Sequence, residues 1–200
     1  MLESNIGHVV LIMAPMASGK GCLMEYIQEN FPQVTRLVSC TTRERRPQEI
    51  PDVDYHFISR DEFQRRIEQG DFIEWAEFSI NLYGTLRSEL MDRLGRSEIV
   101  MNEIDLQGVV QLMSIVPKVK RTIIYIDAGD WDTLKKRALL RAPISDIDLE
   151  QRLLRYREET AFRPNVDYII HNNDGELEKA KAHIHEIIQN IIIKTSAIYE

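Results

Sequence analysis

The sequence predicts an α/β fold with a parallel core sheet covered by helices on both faces. Three observations predict it. Short apolar runs of strand type alternate with helical patterns along the chain, the arrangement parallel sheets require. The first run, His8 to Met13, passes through a loop of small residues straight into a helix. Acidic residues gather at the C-terminal end of a later strand, Glu98 to Asp105, where α/β sheets place their functional groups.

Two hundred residues suffice for one such domain, or one with an inserted flap, and for a core that needs no disulfide. No linker, repeat or low-complexity tract divides them. A net charge of −7 excludes general electrostatic binding to nucleic acid or to an anionic membrane, so any anion site must be local. No apolar run approaches the ~20 residues that cross a bilayer. The start, with Glu3 and polar Ser4-Asn5, has no basic region ahead of an apolar core, and a cytoplasmic protein is expected. Cys22 and Cys40 have no metal-like spacing, which suits a reducing compartment, and His183 and His185 do not share a helix face.

Ala14-Pro15-Met16-Ala17-Ser18-Gly19-Lys20-Gly21 follows the first strand, and Cys22 opens the helical pattern that runs to about Asn30, ahead of Pro32. Such a loop points unpaired backbone N–H groups and the positive helix end at one spot, an anion site, and Lys20 reaches outer phosphates. The match to G-x-x-x-x-G-K-[ST] is incomplete, with Ala14 for the first Gly and Gly21 for the hydroxyl residue, so an ordinary Gly-containing turn competes with nucleotide binding.

Val34 to Val38 reads as a second strand. Arg43, Arg45 and Arg46 then concentrate guanidinium groups that match phosphate oxygens, against the alternative of a solvated loop. Tyr55 to Ile58 is a strand, Ser59-x-x-Glu62 a capping box, Asp61 to Gln69 a helix, and Gly70 its stop. Phe72 to Phe78 is an aromatic strand whose alternation puts Glu74 on the face of Phe72, either among aromatic rings or on a wet sheet face. After a turn at Ile80-Asn81 and Tyr83-Gly84-Thr85 comes a helix from Arg87 to Leu94, ended by Gly95. Leu106 to Ile115 is helical, Arg121 to Ile126 a strand, and Asp130 caps a helix from Trp131 to Leu140. Arg137, Arg141, Arg152, Arg155 and Arg157 flank a hinge at Ala142 to Asp148, suited to closing over phosphate or to surface ion pairs with Glu150, Glu158 and Glu159. Val166 to Ile170 is the last strand, and Leu177, Ala180, Ile184, Ile187, Ile188 and Ile191 form one helical stripe.

Over nearly the whole chain this order of motifs resembles the guanylate kinases, within the nucleoside monophosphate kinase group of P-loop proteins. Ser39-x-Thr41-Thr42-Arg43-x-x-Arg46-x-x-Glu49 is similar to the family's GMP-binding signature. Asp54-Tyr55-x-Phe57, Phe72-Ile73-Glu74-Trp75-Ala76, Tyr83-Gly84-Thr85 and Ile104-Asp105-x-Gln107-Gly108 support it. The resemblance implies a three-layer α/β/α core (1–35 and 96–200), an inserted GMP-binding α+β subdomain (about 36–95) and a short lid (about 141–150). It implies transfer of phosphoryl from Mg-ATP to GMP in purine nucleotide metabolism, dGMP being a second acceptor to test, by a monomer or homodimer.

The resemblance also implies roles. Lys20, Arg137, Arg141 and Arg152 would be catalytic, and Ala14 to Cys22 with Asn172 would bind ATP. Arg43, Arg46, Tyr55 and Tyr83 would grip the GMP phosphate, and Ser39, Glu74 and Thr85 would read guanine, whose adjacent N1–H and N2–H₂ donors suit a carboxylate. Glu103 and Asp105 would border the GMP site, and Glu103 would be the carboxylate nearest Mg2+, acting through its waters. Met16, Ala17 and Gln48 depart from the family's usual Ser, Gly and Gly, Ala14 would be strained at a position needing φ > 0, and Gly21 removes the hydroxyl that holds metal. Two other classes stand beside the kinase: a catalytically silent module binding a protein through the same groove, and a kinase for another small phosphate ester.

Overall fold

The computed structural model describes residues 7–196; Glu3, Ser4 and Asn5 lie outside them. In chain order the elements are β1 (His8–Met13), α1 (Lys20–Asn30), β2 (Val34–Arg36), β3 (Cys40–Thr41), β4 (His56–Phe57), α2 (Arg60–Gln69), β5 (Phe72–Phe78), β6 (Asn81–Leu86), α3 (Arg87–Gly95), β7 (Ile99–Glu103), α4 (Leu106–Ile115), β8 (Arg121–Asp127), α5 (Trp131–Arg141), α6 (Asp146–Phe162), β9 (Tyr168–His171) and α7 (Leu177–Ser196).

A strand apolar on both faces belongs in the middle of a sheet. β1 is central in a sheet of order β2-β7-β1-β8-β9, in which every neighbouring pair is parallel. Val10 and Ile12 face a core shared with Leu23 and Ile27 of α1 and Ile184 and Ile188 of α7. Val9, Leu11 and Met13 face the other layer, where α3 contributes Leu90 and Leu94 and α4 contributes Val109 and Leu112. The expected parallel sheet with helices on both faces is therefore present, and the α7 stripe buries Ala180, Ile184, Ile187, Ile188 and Ile191 as its spacing predicts.

A second sheet of order β4-β3-β6-β5 stands over the C-terminal ends of the core strands and packs Phe72 and Leu82 on Phe63 of α2. Ser59 caps α2, its hydroxyl accepting from Glu62 N–H at 3.1 Å, and Gly70 ends it with φ 71°. This sheet occupies the segment read as an insertion, whose final helix, α3, nevertheless buries its apolar face in the main core.

Three local readings are corrected. The second strand stops at Arg36, and Cys40–Thr41 forms an unexpected strand, because Cys40 pairs with His56 and Gly84 and Thr41 with Tyr83, partners far away in the chain. Glu74 does not share the face of Phe72. A bulge between Phe72 and Glu74 pairs Phe72 with Leu86 but Glu74 with Thr85, so the extra residue reverses the alternation. The hinge is only residues 142–145, since the Ser145 hydroxyl accepts from Asp148 N–H at 3.2 Å and starts α6 at Asp146.

Candidate active site

Between the two sheets, at the C-terminal end of β1 and β7, lies a cavity of about 700 Å³. One wall is the loop from Ala14 to Cys22. Its left-handed positions are Ala17 (φ 57°) and Gly19 (φ 85°), so Ala14 escapes the strain expected of it and Ala17 takes it instead. A Cβ on Gly19 would stand 2.3 Å from Nδ2 of Asn172, which donates to the Ser18 carbonyl at 2.7 Å. Glycine here lets Asn172 hold the loop from behind. No side chain caps α1, leaving its first-turn N–H groups for a ligand. Lys20 Nζ lies 2.9 Å from Glu103 Oε1, and this ammonium holds the Glu103 carboxyl below its ordinary range.

The opposite wall carries Ser39, Arg43, Arg46, Glu49, Tyr55, Glu74 and Tyr83. The Arg43 guanidinium donates to both Glu49 carboxylate oxygens, at 3.1 and 2.7 Å, and lies over the Tyr55 ring at 5.6 Å. Its fork is thus held flat against the wall by a carboxylate, with Arg46 N–H donating to the same group at 2.8 Å. Burial pushes the Tyr55 phenol up to about 12, which keeps it a donor across the neutral range. Ser39 and Thr85 hydroxyls are 3.4 Å apart.

Glu74 is only 6% exposed. Burial pushes its carboxyl up to about 7; the polar groups of Thr85, its partner across the β5–β6 pairing, oppose the shift, while the Asp105 charge adds to it. Space for this carboxylate is made by Gly108, where a Cβ would come within 2.6 Å of Glu74 Oε2. Asp105 caps α4 by accepting from Gly108 N–H at 2.9 Å.

The third wall is α6, with Arg141 from the end of α5. Arg152, Arg155, Tyr156 and Glu159 point into the cavity at helical spacing. Arg152 reaches the Met16 sulfur at 3.4 Å, and Arg155 lies over the Phe78 ring at 3.8 Å while donating to the Glu77 carbonyl at 3.0 Å. Glu159, weighed from sequence as a surface ion-pair partner, is 8% exposed, and its Oε2 has no hydrogen-bond partner. Burial raises its carboxyl to about 7 against the pull of Lys20.

The cavity thus gathers the loop, Lys20, Ser39, Arg43, Arg46, Tyr55, Glu74, Tyr83, Glu103, Asp105, Arg141 and Arg152. Thr85 sits just behind its wall, bonded to Asn102. Arg137 and Asn172 do not line it: Arg137 pairs with Asp174 at 2.6 Å and donates to the Asn172 carbonyl at 3.3 Å. Sequence reasoning missed Arg36, Asn102, Tyr156 and Glu159 as lining residues. Arg36 stands at the C-terminal end of β2, a place hidden by reading that strand on to Val38, while Asn102 stands near the end of β7, where functional groups were expected.

A divalent cation with its waters fits this donor set. Among the described residues no three acidic, His or Cys side chains form a metal cage. Glu103 and the unpartnered Glu159 oxygen are acceptors suited to the hydrogens of metal-bound water, the mode Mg2+ uses when it arrives on a polyphosphate.

Residues 7–191 match the family model described as guanylate kinase. The chain is 33% identical to the guanylate kinase of a Synechococcus species over 84% of this chain and 91% of that one. It is 34% identical to the guanylate kinase of Thermotoga maritima, over 85% and 81%, and 32% identical to that of Helicobacter pylori, over 97% and 92%. Its fold superimposes on the crystal structure of guanylate kinase from Anaplasma phagocytophilum with a TM-score of 0.71 at 26% identity, covering 93% of this chain and 86% of that one.

Proposed function

The chain belongs to the guanylate kinase family, and from that premise we propose that it transfers the γ-phosphoryl group of ATP directly to the phosphate of GMP, giving ADP and GDP. The observation that carries this reading is the position of Glu74, a buried carboxyl backed by Thr85 in the same cavity as Lys20 and the loop amides. Ionised, it accepts from guanine N1–H and N2–H₂; adenine has no such pair of donors on that edge.

Phosphoryl transfer asks the protein for positioning and for neutralisation of charge. Arg43, Arg46, Tyr55 and Tyr83 hold the acceptor phosphate, with Glu49 fixing the plane of Arg43. The loop amides and Lys20 hold the donor phosphates, Lys20 exchanging its Glu103 partner for them. Arg141 and Arg152 face the transferred group from the third wall. Asn172 and Arg137 act from behind, the first by bracing the Ser18 carbonyl and the second by bracing Asn172 itself. Mg2+ bound with ATP supplies further neutralisation of the polyphosphate, with Glu103 and Glu159 as acceptors for its waters. Cytoplasmic purine nucleotide metabolism is the setting we assign; no helix among the described residues is long and apolar enough to cross a membrane.

The test is ADP formation from Mg-ATP with GMP, dGMP, AMP, CMP, UMP or no acceptor, with Lys20→Ala as control. GMP-dependent turnover that falls by orders of magnitude in the variant is expected. A folded protein that binds GMP and turns over no acceptor would make the chain a silent binding module, and preference for another acceptor would reassign the substrate.

A further inference from the structure

Three charged side chains stand in a row across the C-terminal ends of the core strands. Lys20 opens α1 after the loop that leaves β1, Glu103 ends β7 and Arg36 ends β2, and the sheet order β2-β7-β1 puts the carboxylate between the two cations. Parallel pairing sets Arg36 beside Met101, two residues before Glu103, so Arg36 and Glu103 share the face of the sheet that α1 covers. All three line the cavity.

Only one of these two cations uses the carboxylate. Lys20 Nζ is 2.9 Å from Glu103 Oε1, whereas the half-buried Arg36 guanidinium makes no hydrogen bond or ion pair among the described residues. The charges of Lys20 and, to a smaller extent, Arg36 hold the Glu103 carboxyl below its ordinary range against its burial. Donor phosphates draw Lys20 away from Glu103. A carboxylate whose side chain is only 36% exposed then faces the added negative charge of the polyphosphate, an arrangement that is costly without a second cation.

We propose that Arg36 is a positioning residue for donor binding: when Lys20 turns to the phosphates, Arg36 pairs with Glu103 in its place, so that Lys20 is released without leaving an unpaired carboxylate in the cavity. A guanidinium suits the task, because its planar fork takes both carboxylate oxygens and keeps its charge. This rests on Lys20 serving the ATP phosphates, and it gives a function to a residue outside every motif that points to the site.

The experiment measures Kd for Mg-ATP without an acceptor, by titration calorimetry, in wild type, Arg36→Met, Glu103→Gln and the double variant. Arg36→Met should weaken binding about fivefold, the weight of a partly exposed ion pair. In the Glu103→Gln background the same change should have no effect, because the neutral amide leaves Arg36 nothing to neutralise. Arg36→Lys keeps the charge and should bind close to wild type. An unchanged Kd in Arg36→Met, an equal loss in both backgrounds, or a loss in Arg36→Lys as large as in Arg36→Met overturns the proposal, the second by making Arg36 a direct phosphate contact. If Arg36→Met does not fold by circular dichroism, Arg36→Gln takes its place with the same expectations. Lys20→Ala that binds Mg-ATP as tightly as wild type refutes the reading of Lys20 instead, a result the Arg36 variants cannot produce.

Discussion

Ala17 holds a left-handed backbone, φ 57°, at the centre of the phosphate loop. That conformation costs a residue with a Cβ about 1–2 kcal/mol, while glycine costs about 0.5–1 kcal/mol in unfolded-chain entropy. Ala17→Gly should therefore stabilise the protein by roughly 0.5–1 kcal/mol, a rise in Tm of about 1–4 °C. A lower Tm in thermal unfolding would show that the loop relies on the alanine methyl group. Glu74 gives a second expectation. With its carboxyl at about 7, the acceptor form is depleted as pH falls below that value, and KM for GMP should rise toward tenfold per unit. The GMP phosphate gains its own proton only near pH ~6. Glu74→Gln should remove the limb near pH 7 and leave the lower one; a limb unchanged in the variant would assign it to another group.

Helix α4 illustrates how an element serves the site. By propensity alone, Gly108→Ala inside it should gain about 1 kcal/mol. Packing opposes that gain, because the new Cβ would stand 2.6 Å from Glu74 Oε2 and 2.6 Å from Ile104 Cγ1. Overpacking of this kind costs typically 1–3 kcal/mol and moves the carboxylate, so the second effect wins. The expected outcome is a lower Tm together with a raised KM for GMP, with KM for ATP little changed. A higher Tm with GMP kinetics intact would mean that α4 slides away from β5 at no cost. Gly21, by contrast, has nothing within 4 Å of its missing Cβ, so the absent hydroxyl there is not enforced by packing.

Across the whole molecule, α6 and the second sheet meet at Arg155, whose guanidinium lies 3.8 Å from the Phe78 ring centre and donates to the Glu77 carbonyl at 3.0 Å. Arg152 approaches the same ring at 5.6 Å. These contacts join two walls of the cavity. A cation–π contact and a hydrogen bond together are worth about 1–3 kcal/mol, so Arg155→Ala should shift the balance toward an arrangement with the two walls apart by about fivefold or more. Small-angle scattering should give a larger radius of gyration, and KM should rise for both nucleotides. No change in either measurement would mean that closure is held elsewhere.

What the sequence determined by itself is whatever depends on neighbours along the chain or on regular spacing. The β1–loop–α1 unit, the Ser59 and Gly70 boundaries of α2, the α7 stripe and the motif residues that line the cavity were all legible. Tertiary structure alone decided the rest. The bulge before Glu74 turned the carboxylate to the other face, and pairing with distant strands created β3. The fold moved the loop strain from Ala14 to Ala17, buried Glu159 with its Oε2 free of hydrogen bonds and brought Asn102 to Thr85. Each of these is a contact or conformation imposed by segments far apart in sequence, and neither propensity nor periodicity carries information about that.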